Sequence, residues 1–430
     1  MNRRALMVLS TLLCGCATGV GPVEESPAPF QPVSILVFGD TGYDYDYLEE
    51  DDYEDAFTGR EFVIHELDDW IEHKRPIGEF RIPPMHHAEQ TGGYVMASGM
   101  WPVANAARHW CAPDDRCNFG VMVGDNIYPA GAQLGADGRD DAKRFNDLLL
   151  QPYQGLQQQD PEFVIYPVLG NHDWDTSRES AMAQVEYLEG SPLYRMDGIF
   201  YRATPAPGVE LFAIDTTVLL AAETVYEDAL SEDGTPVATG EEDRAEPWSE
   251  PVGAEKEMLT WLEQALADST AHWKIVVGHH ALWSSSGTKQ EEATVLRRLL
   301  LPTLCRYADA YLSGHDHTLE LHTDDCRLEG ARYRDMPPLI TIVSGAAGKQ
   351  RPLHTLYMAW RDREFPHQTT RYTEGLIWGF AGLTLDTGTA TVTILSTPNS
   401  GSGEPIPEYT HTFERRSGQL RAEQRTALQY

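Results

Sequence analysis

The amino-acid sequence predicts an α/β sandwich, and three observations lead to this fold class. Short apolar or β-branched runs without polar alternation recur along the 430 residues, as expected for strands that are buried on both faces. Amphipathic stretches that fit helices, such as residues 254–269 and 293–307, lie between these runs. Five of the runs end at a glycine followed by Asp, Asn or His. Strands that alternate with helices indicate a sandwich whose functional site lies at the carboxyl ends of the strands.

Size and composition are those of a globular protein. Hydrophobic residues make up 41% of the chain and include ten tryptophans, which allows a sizeable packed core. The formal net charge of -33 disfavours nucleic acid and anionic lipid as partners, because binding to either depends on Lys and Arg. We therefore expect no nucleic-acid partner, and the sequence does not indicate an oligomeric state.

The N-terminus has the features of an export signal. Two arginines precede an apolar run at residues 5–13, which is too short to span a bilayer. The motif Leu-Cys-Gly-Cys at the end of this run resembles a bacterial lipobox and implies a lipid on Cys16, with an ordinary secretory signal as the alternative. We predict a lipoprotein signal peptide at 1–15 and a linker at 16–32. The chain would then be an exported bacterial lipoprotein, periplasmic or at the cell surface, held at the outer membrane by its lipid alone.

Four cysteines follow the signal region, and an even number in an exported chain favours two disulfides. Four cysteines allow three pairings. We favour the sequence-local pairing of Cys111 with Cys117 and of Cys305 with Cys326. A zinc site is less favoured, because no Cys-x-x-Cys spacing occurs.

Two long acidic insertions interrupt the pattern of strands and helices, near residues 43–90 and 218–252. Residues 44–55 contain eight acids, and the second insertion has ten acids against one Arg. Solvated loops that keep the protein soluble are the simplest interpretation. The alternative for the first insertion is a screen that repels polyanions from the site, since it begins four residues after Asp40.

The polar residues at the strand ends form a pattern that indicates metal binding. They supply carboxylate, amide and imidazole groups with no thiolate, a mixture suited to Zn, Fe or Mn. Asp125 is the natural bridge, because its two oxygens can serve two cations about 3.5–4 Å apart, an arrangement suited to phosphate ester hydrolysis. The strand-end residues are Asp40, Asp125, Asn171, His172, His279, His280, His315 and His317.

Five motifs carry a family resemblance over most of the chain beyond Cys16. In order they are GDTG, GDNIY, GNHD, VVGHH and GHDH. They resemble the signature blocks of calcineurin-like metallophosphoesterases, and GDNIY with the stretch from EKEMLTWLEQAL onward more narrowly resembles tartrate-resistant purple acid phosphatases. The resemblance implies a four-layer α/β/β/α sandwich with a dinuclear metal site at the strand ends. It assigns residues 33–416 to one catalytic domain and leaves 417–430 as a C-terminal tail.

The resemblance also implies a ligand set for each metal. The first metal, Fe(III) in the family, would be bound by Asp40, Asp125, Tyr128 and His317. The second, Fe(II), Zn(II) or Mn(II), would be bound by Asp125, Asn171, His279 and His315. Tyr128 distinguishes the subfamily, because a phenol ligates as phenolate only beside a strong cation such as Fe(III). A core aromatic is the alternative for this tyrosine.

Three further residues are candidates for catalysis. His172 would be the general acid that protonates the leaving group. Asp173 would orient His172, with a surface-turn aspartate as the alternative. After His279 the family often has a Pro and then a second substrate-facing His, whereas this chain has His280 and Ala281. His280 is therefore a candidate replacement in phosphate binding.

The predicted function is hydrolysis of a phosphomonoester, by in-line attack of metal-bound hydroxide on phosphorus. A phosphorylated small molecule or a phosphoprotein would be the substrate. A phosphodiesterase or nucleotide pyrophosphatase on the same fold is one alternative, and a non-catalytic metal-binding surface lipoprotein is another. The motif SGAAGKQ at 344–350 lacks the spacing of a phosphate-binding P-loop, and we predict a turn that packs near the metal site.

Overall fold

The computed structural model describes residues 30–47, 58–88, 92–112, 117–135, 141–220, 253–333 and 335–416. The predicted signal peptide with Cys16, most of the linker, the C-terminal tail and nearly all of the second acidic insertion lie outside these ranges. The assignments made for those segments therefore stay predictions. Within the described ranges, no helix is both long and apolar enough to cross a membrane.

Two large sheets form the centre of the described structure, with helices between their strands. The described strands, numbered β1–β15 in chain order, are Val33–Phe38, Met85–Ala88, Gly93–Met96, Phe119–Val123, Ile165–Val168, Tyr201–Ala206, Val209–Ala213, Trp273–Val277, Ala310–Ser313, Leu319–Asp324, Leu339–Ser344, Gln368–Glu374, Trp378–Leu385, Thr389–Thr397 and Ile406–Glu414. The described α-helices, numbered α1–α10, are Gly59–Glu72, Met100–Cys111, Asp141–Phe145, Gln154–Gln159, Asn171–Trp174, Arg178–Gly190, Thr216–Leu220, Gly253–Asp268, Gln290–Tyr307 and Thr355–Glu364. The apolar runs that end in metal-ligand residues all form strands, and both predicted amphipathic stretches form helices, α8 and α9.

Each sheet has a parallel centre and antiparallel edges. In the described residues the first sheet has the order β15-β14-β13-β1-β4-β5, and the second has the order β12-β10-β11-β9-β8-β7-β6. Strands β1, β4 and β5 run parallel to one another, as do β7, β8, β9 and β11. Parallel neighbours end at the same edge of a sheet, so the polar residues that follow them are brought together.

The sheets pack face to face, with helices outside them. On β13, Phe380 and Gly382 face Trp110 of α2: the rings of Trp110 and Phe380 lie 5.8 Å apart, and a Cβ at Gly382 would lie 2.3 Å from the indole. A Cβ at Gly379 of the same strand would instead lie 2.7 Å from Leu319 of the second sheet. Alternate residues of a strand point to opposite faces, so β13 lies between a helix layer and the other sheet. This confirms the predicted sandwich.

Two disulfides fasten helix ends to neighbouring segments. Cys111 pairs with Cys117, and Cys305 pairs with Cys326, which confirms the sequence-local pairing. A ligand atom of Asp324 lies within 4.8 Å of both Cys305 and Cys326 sulfurs. Because these sulfurs are joined to each other, this group is not a thiolate metal site.

Part of the first insertion is folded, which differs from the predicted solvated loop. Helix α1 begins with a capping box, in which Thr58 and Glu61 satisfy each other's backbone N–H groups. Phe62 and Trp70 of this helix are buried, and β2 and β3 form a hairpin beside it. Residues 48–57, which carry six of the eight acids in 44–55, lie outside the described residues. The described part is therefore a small structured unit, positioned by buried aromatic side chains.

Candidate metal centre

The predicted ligands meet where parallel strands of both sheets end. Asp40, Asp125 and Asn171 follow β1, β4 and β5, while His279 follows β8 and His315 follows β9. Backbone hydrogen bonds join these ends: the Asp40 N–H donates to the Gly124 carbonyl at 2.9 Å, and the Gly314 N–H donates to the His279 carbonyl at 2.8 Å. Within each sheet the strand ends are therefore held in register.

Three of the predicted ligands have unusual backbone conformations. Asp40, Asp125 and His315 have φ values of 55°, 50° and 68°, in the left-handed region that non-glycine residues seldom adopt. Such conformations cost on the order of 1–3 kcal/mol each and cluster at functional sites. Their occurrence at three ligands on three strands indicates that the backbone is shaped to direct these side chains.

Glycines make room for the ligand carboxylates. A Cβ at Gly314 would lie 2.3 Å from Asp40 Oδ2, and a Cβ at Gly170 would lie 2.2 Å from Asp125 Oδ1. Both distances are far below van der Waals contact, so any side chain at either position would displace a predicted ligand. The Gly-ligand pairs of the sequence thus clear space for ligands contributed by other strands.

The first donor cluster surrounds the Tyr128 hydroxyl. This oxygen lies 2.8 Å from Asp125 Oδ2, 3.4 Å from Asp40 Oδ1 and 3.2 Å from His317 Nε2. All four side chains are buried. The phenol oxygen of Tyr128 therefore faces the predicted first ligand set and does not merely pack in the core.

The second donor cluster surrounds Nε2 of His279. This nitrogen lies 3.2 Å from Asp125 Oδ1, 3.2 Å from Asn171 Oδ1 and 3.2 Å from His315 Nδ1. Asp125 belongs to both clusters and offers one oxygen to each, with Oδ2 toward Tyr128 and Oδ1 toward His279. The structure thus arranges the eight donor positions implied by the resemblance as two adjacent sets joined by one carboxylate.

The electrostatics of the clusters suit cations. Burial raises the pKa of Asp40 well above its usual range, and the neighbouring Asp125 adds to this effect. Burial opposes the charged form of His279, but Asp125 outweighs it and raises the pKa of His279 to about 10. Two fully buried carboxylates this close need a compensating charge, and cations held between them would supply it. The donors present therefore fit metal ions.

Burial shifts the pKa values of the imidazole groups and of the phenol toward their neutral forms. Burial lowers the pKa of His315 and of His317 well below the usual range, so both rings are neutral and able to ligate. Burial and the charges of Asp125 and Asp40 raise the pKa of Tyr128 well above its usual range. The phenol would therefore ionise only beside a cation of high charge.

His172 lies at the edge of the second cluster and is half-buried. Its backbone N–H donates to Asp125 Oδ1 at 3.1 Å, and its Nδ1 forms a short hydrogen bond with the Pro129 carbonyl. A carbonyl can only accept, so Nδ1 carries a proton. Nε2 is then the nitrogen available for proton exchange with a substrate.

Asp173 does not orient His172, which corrects both interpretations of this residue. Its carboxylate is fully buried, so it is not a surface-turn aspartate. The oxygens accept hydrogen bonds from the backbone N–H groups of Asn126, Ile127 and Gly170, and burial raises the pKa of Asp173 to about 7. Asp173 thus fixes the loop between Asp125 and Tyr128, while the Pro129 carbonyl orients His172.

His280 lies behind the site, which corrects its predicted role in phosphate binding. Its side chain is 1% exposed, its Nδ1 hydrogen-bonds the Thr216 hydroxyl at 2.8 Å, and its ring lies 4.2 Å from that of His315. One of its ring nitrogens also lies within 4.8 Å of ligand atoms of His279 and His315. His280 therefore packs against the ligand histidines and is shielded from substrate.

Two residues that no sequence motif indicates, Glu292 and Arg144, support the clusters from outside. Glu292 Oε2 lies 3.2 Å from His315 Nε2, on the side of the ring opposite Nδ1. The fully buried Arg144 donates to the carbonyls of Tyr128, Ala130 and Gly131. Both contacts join residues distant in the sequence, and a charged residue in an amphipathic helix gives no local signal for them.

We expect Glu292→Ala to weaken metal binding at the second cluster by about 10–100-fold, because carboxylates behind ligand histidines fix the ring and increase its basicity. Titration with a competing chelator measures this affinity. Glu291→Ala is the matched control, since Glu291 is exposed and adjacent in the same helix, and it should bind metal as the unmodified chain does. Equal affinities for the two variants would contradict this role for Glu292.

The fold and these donor sets define the class of protein. A family model described as calcineurin-like phosphoesterase matches residues 33–319. This match covers more than half of the chain and includes every predicted metal ligand. The chain therefore belongs to the calcineurin-like phosphoesterase family.

Particular relatives are acid phosphatases. Purple acid phosphatase 4 of Arabidopsis thaliana is 33% identical over 210 residues, which cover 47% of this chain and 53% of that protein. Tartrate-resistant acid phosphatase type 5 of Homo sapiens is 26% identical over 287 residues, which cover 65% of this chain and 75% of that protein. This chain thus spans about half the length of the plant relative.

Similarity of fold extends to solved structures. GAP50, described as the anchor in the inner membrane complex of Plasmodium, superposes with a TM-score of 0.52 over 91% of this chain and 94% of that chain. The sequence identity is 16%, so this comparison supports the fold alone.

Proposed function

We propose that this chain is a metal-dependent phosphoric ester hydrolase that acts on phosphomonoesters. The observation that carries the proposal is the position of Asp125, whose two oxygens lie in two separate donor clusters. A shared carboxylate is how two metals are held close enough to act on one phosphate. The acid phosphatase relatives support the same reaction class.

The residues of the site have separate roles in this proposal. Cations bound to the two clusters would neutralise phosphate charge and acidify water. Asp40, Tyr128 and His317 would complete the first site, and Asn171, His279 and His315 the second. Because Nδ1 is engaged by the Pro129 carbonyl, His172 would act through Nε2, and as the imidazolium it would give the Nε2 proton to the leaving oxygen.

The metal identities are part of the proposal. The raised pKa of Tyr128 favours a trivalent ion in the first cluster, since a stronger positive charge is needed to stabilise the phenolate. We therefore propose Fe(III) there, with Fe(II), Zn(II) or Mn(II) in the second cluster. Phosphorylated small molecules or phosphoproteins would be the substrates.

We also propose that the enzyme is exported from the cytoplasm. A signal peptide at 1–15 and a lipid on Cys16 would place the enzyme outside the cytoplasm, at the outer membrane, with the linker as a tether. Mass analysis of the chain purified from membranes should show loss of 1–15 and the added mass of a lipid on Cys16. An unprocessed N-terminus would contradict this location.

Two other functions differ in what they require of the site. A phosphodiesterase would use the same donor clusters with a different rim. A scaffold, comparable to the anchor role described for GAP50, would need neither a shared carboxylate nor ligands in strained backbone conformations. The three left-handed ligand residues favour an enzyme over a scaffold.

The test is hydrolysis by the purified chain of a monoester and a diester with the same leaving group, 4-nitrophenyl phosphate and bis(4-nitrophenyl) phosphate. We expect faster turnover of the monoester, loss of turnover after removal of metal by a chelator, and recovery when metal is added back. Faster diester turnover would indicate the phosphodiesterase. Metal-loaded protein that hydrolyses neither ester would contradict the proposal.

A further inference from the structure

A cavity of about 450 Å³ opens beside the metal centre. One wall comes from α1 and the segment after it, which belong to the first insertion. The opposite wall comes from residues 349–352, the end of the SGAAGKQ turn, and it includes the predicted ligand His317. The turn thus packs near the site as predicted, and it also forms one side of a second compartment.

Positively charged groups lie between the metal centre and this cavity. Lys349 Nζ lies 4.8 Å from the centre of the Tyr128 ring. The Arg351 backbone N–H donates to the His317 carbonyl at 2.9 Å, and Arg351 Nη1 lies 3.1 Å from Asp316 Oδ1. Asp316 is fully buried between the two ligand histidines of its motif. Arg351 is therefore held in place by the segment that carries His317.

Arg75 brings a second guanidinium group into the cavity from the insertion. Its side chain is 2% exposed, and Nη1 lies 3.2 Å from Asp69 Oδ2. Nε of Arg75 is buried and lacks a hydrogen-bond partner among the described residues. A buried donor without a partner is costly, and burial and the charge of Arg351 both lower the pKa of Arg75. A bound anion would supply the missing partner and reduce the repulsion.

The cavity is lined by more cationic than carboxylate side chains. Its lining includes four cations, against two carboxylates; these residues are Arg75, Lys289, Lys349, Arg351, Glu66 and Asp69. The whole chain has a formal charge of -33. Three of the four cations, Lys289, Lys349 and Arg351, come from outside the first insertion, which contributes Arg75 and both carboxylates.

We propose that this cavity binds a second phosphate group, so that the preferred substrate is a phosphate ester whose alcohol portion carries another phosphate. Guanidinium groups match the geometry of phosphate oxygens and form charge-assisted hydrogen bonds with them. The scissile phosphate would lie at the donor clusters, while Arg75 and Arg351 bind the other phosphate. This inference rests on the proposed function and adds a substrate class to it.

The first test measures binding to the full, metal-loaded chain by calorimetry. The probes are alkylphosphonates and α,ω-alkanebisphosphonates with two to six carbons, which cannot be hydrolysed. We expect the best bisphosphonate to bind at least about tenfold more tightly than the alkylphosphonate of the same length, because hydrogen bonds to charged groups are strong. Equal affinity at every length would overturn the proposal.

Substitutions test whether the tighter binding of bisphosphonates depends on Arg75. Arg75→Gln should remove most of the bisphosphonate advantage, whereas Arg81→Gln should retain it. Arg81 lies in the same insertion, is 71% exposed and pairs with Glu374 at 3.8 Å, outside this cavity. Equal loss in the two variants would overturn the proposal. If thermal melting shows that Arg75→Gln is unfolded, Lys289→Gln replaces it, because Lys289 is at a partly exposed position. This variant should lower the ratio of bisphosphonate to alkylphosphonate affinity at least about threefold. No change in that ratio would overturn the proposal.

The second test separates this inference from the proposed function. Alkanediol monophosphates and bisphosphates of the same lengths are compared as substrates, and we expect a lower KM for the bisphosphates. If neither is hydrolysed but the bisphosphonate advantage still depends on Arg75, the proposed function fails and the cavity retains its ligand. If monophosphates and bisphosphates are hydrolysed with equal KM, the proposed function stands and this inference fails.

Discussion

Asp125→Asn is expected to abolish binding of both metals and to lower turnover of a phosphomonoester at least about a thousandfold. The substitution removes the negative charge that the two donor clusters share, at 2.8 Å from the Tyr128 hydroxyl and 3.2 Å from His279 Nε2. Metal stabilisation of the transition state is worth several kcal/mol, and about 1.4 kcal/mol corresponds to tenfold in rate. Elemental analysis and turnover measure the two effects.

The matched control is Asp215→Asn. Asp215 is also fully buried and accepts hydrogen bonds from Trp174 and from the Val218 backbone, but it belongs to neither donor cluster. Asparagine retains an acceptor oxygen, so this variant should keep its metals. A chain with Asp125→Asn that keeps two metals and normal turnover would contradict the bridging role.

His172→Ala is expected to lower kcat by about 10²–10⁴-fold, the usual contribution of general acid catalysis. The loss should depend on the leaving group, because a nitrophenolate leaves without much assistance and an alkoxide does not. Turnover of 4-nitrophenyl phosphate should therefore fall much less than turnover of an alkyl phosphate. Metal content should stay unchanged, since the His172 ring belongs to neither donor cluster. Equal losses for both substrates would remove His172 as the acid.

The strand-end ligands could be predicted because their signals are local. Each follows a glycine at the end of an apolar run, and parallel strands that end together bring such residues to one place. The Asp125 bridge and the Tyr128 position follow from the same logic once the resemblance is recognised. What the sequence could not supply was the left-handed backbone of Asp40, Asp125 and His315, since such strain depends on the surrounding structure.

Contacts between segments that are distant in the sequence place the supporting residues that have no local sequence signal. Glu292 contacts His315, and Arg144 contacts the backbone at and after Tyr128. Asp173 binds the loop between Asp125 and Tyr128 instead of the His172 ring. These partners are set by the packing of elements, which no local pattern encodes. His280 follows the same rule, because only the position of α7 beside β8 shows that Thr216 and His315 enclose its ring.

The first insertion shows how composition can mislead. Its many acids predicted a solvated loop, yet Thr58 and Glu61 had the capping-box spacing that starts a helix. Within the described residues this segment contributes Arg75, Glu66 and Asp69 to the cavity lining. The acidic composition of the segment therefore did not predict that part of it folds.

The metal content of the purified chain, together with its absorption spectrum, tests whether the two donor clusters hold a dinuclear metal centre. We expect two metal ions per chain, at least one of them iron, and a visible charge-transfer band that Tyr128→Phe shifts or removes. Fewer than two ions per chain after reconstitution with iron and zinc would contradict the dinuclear centre. Two ions with no visible band would contradict a ferric ion at Tyr128.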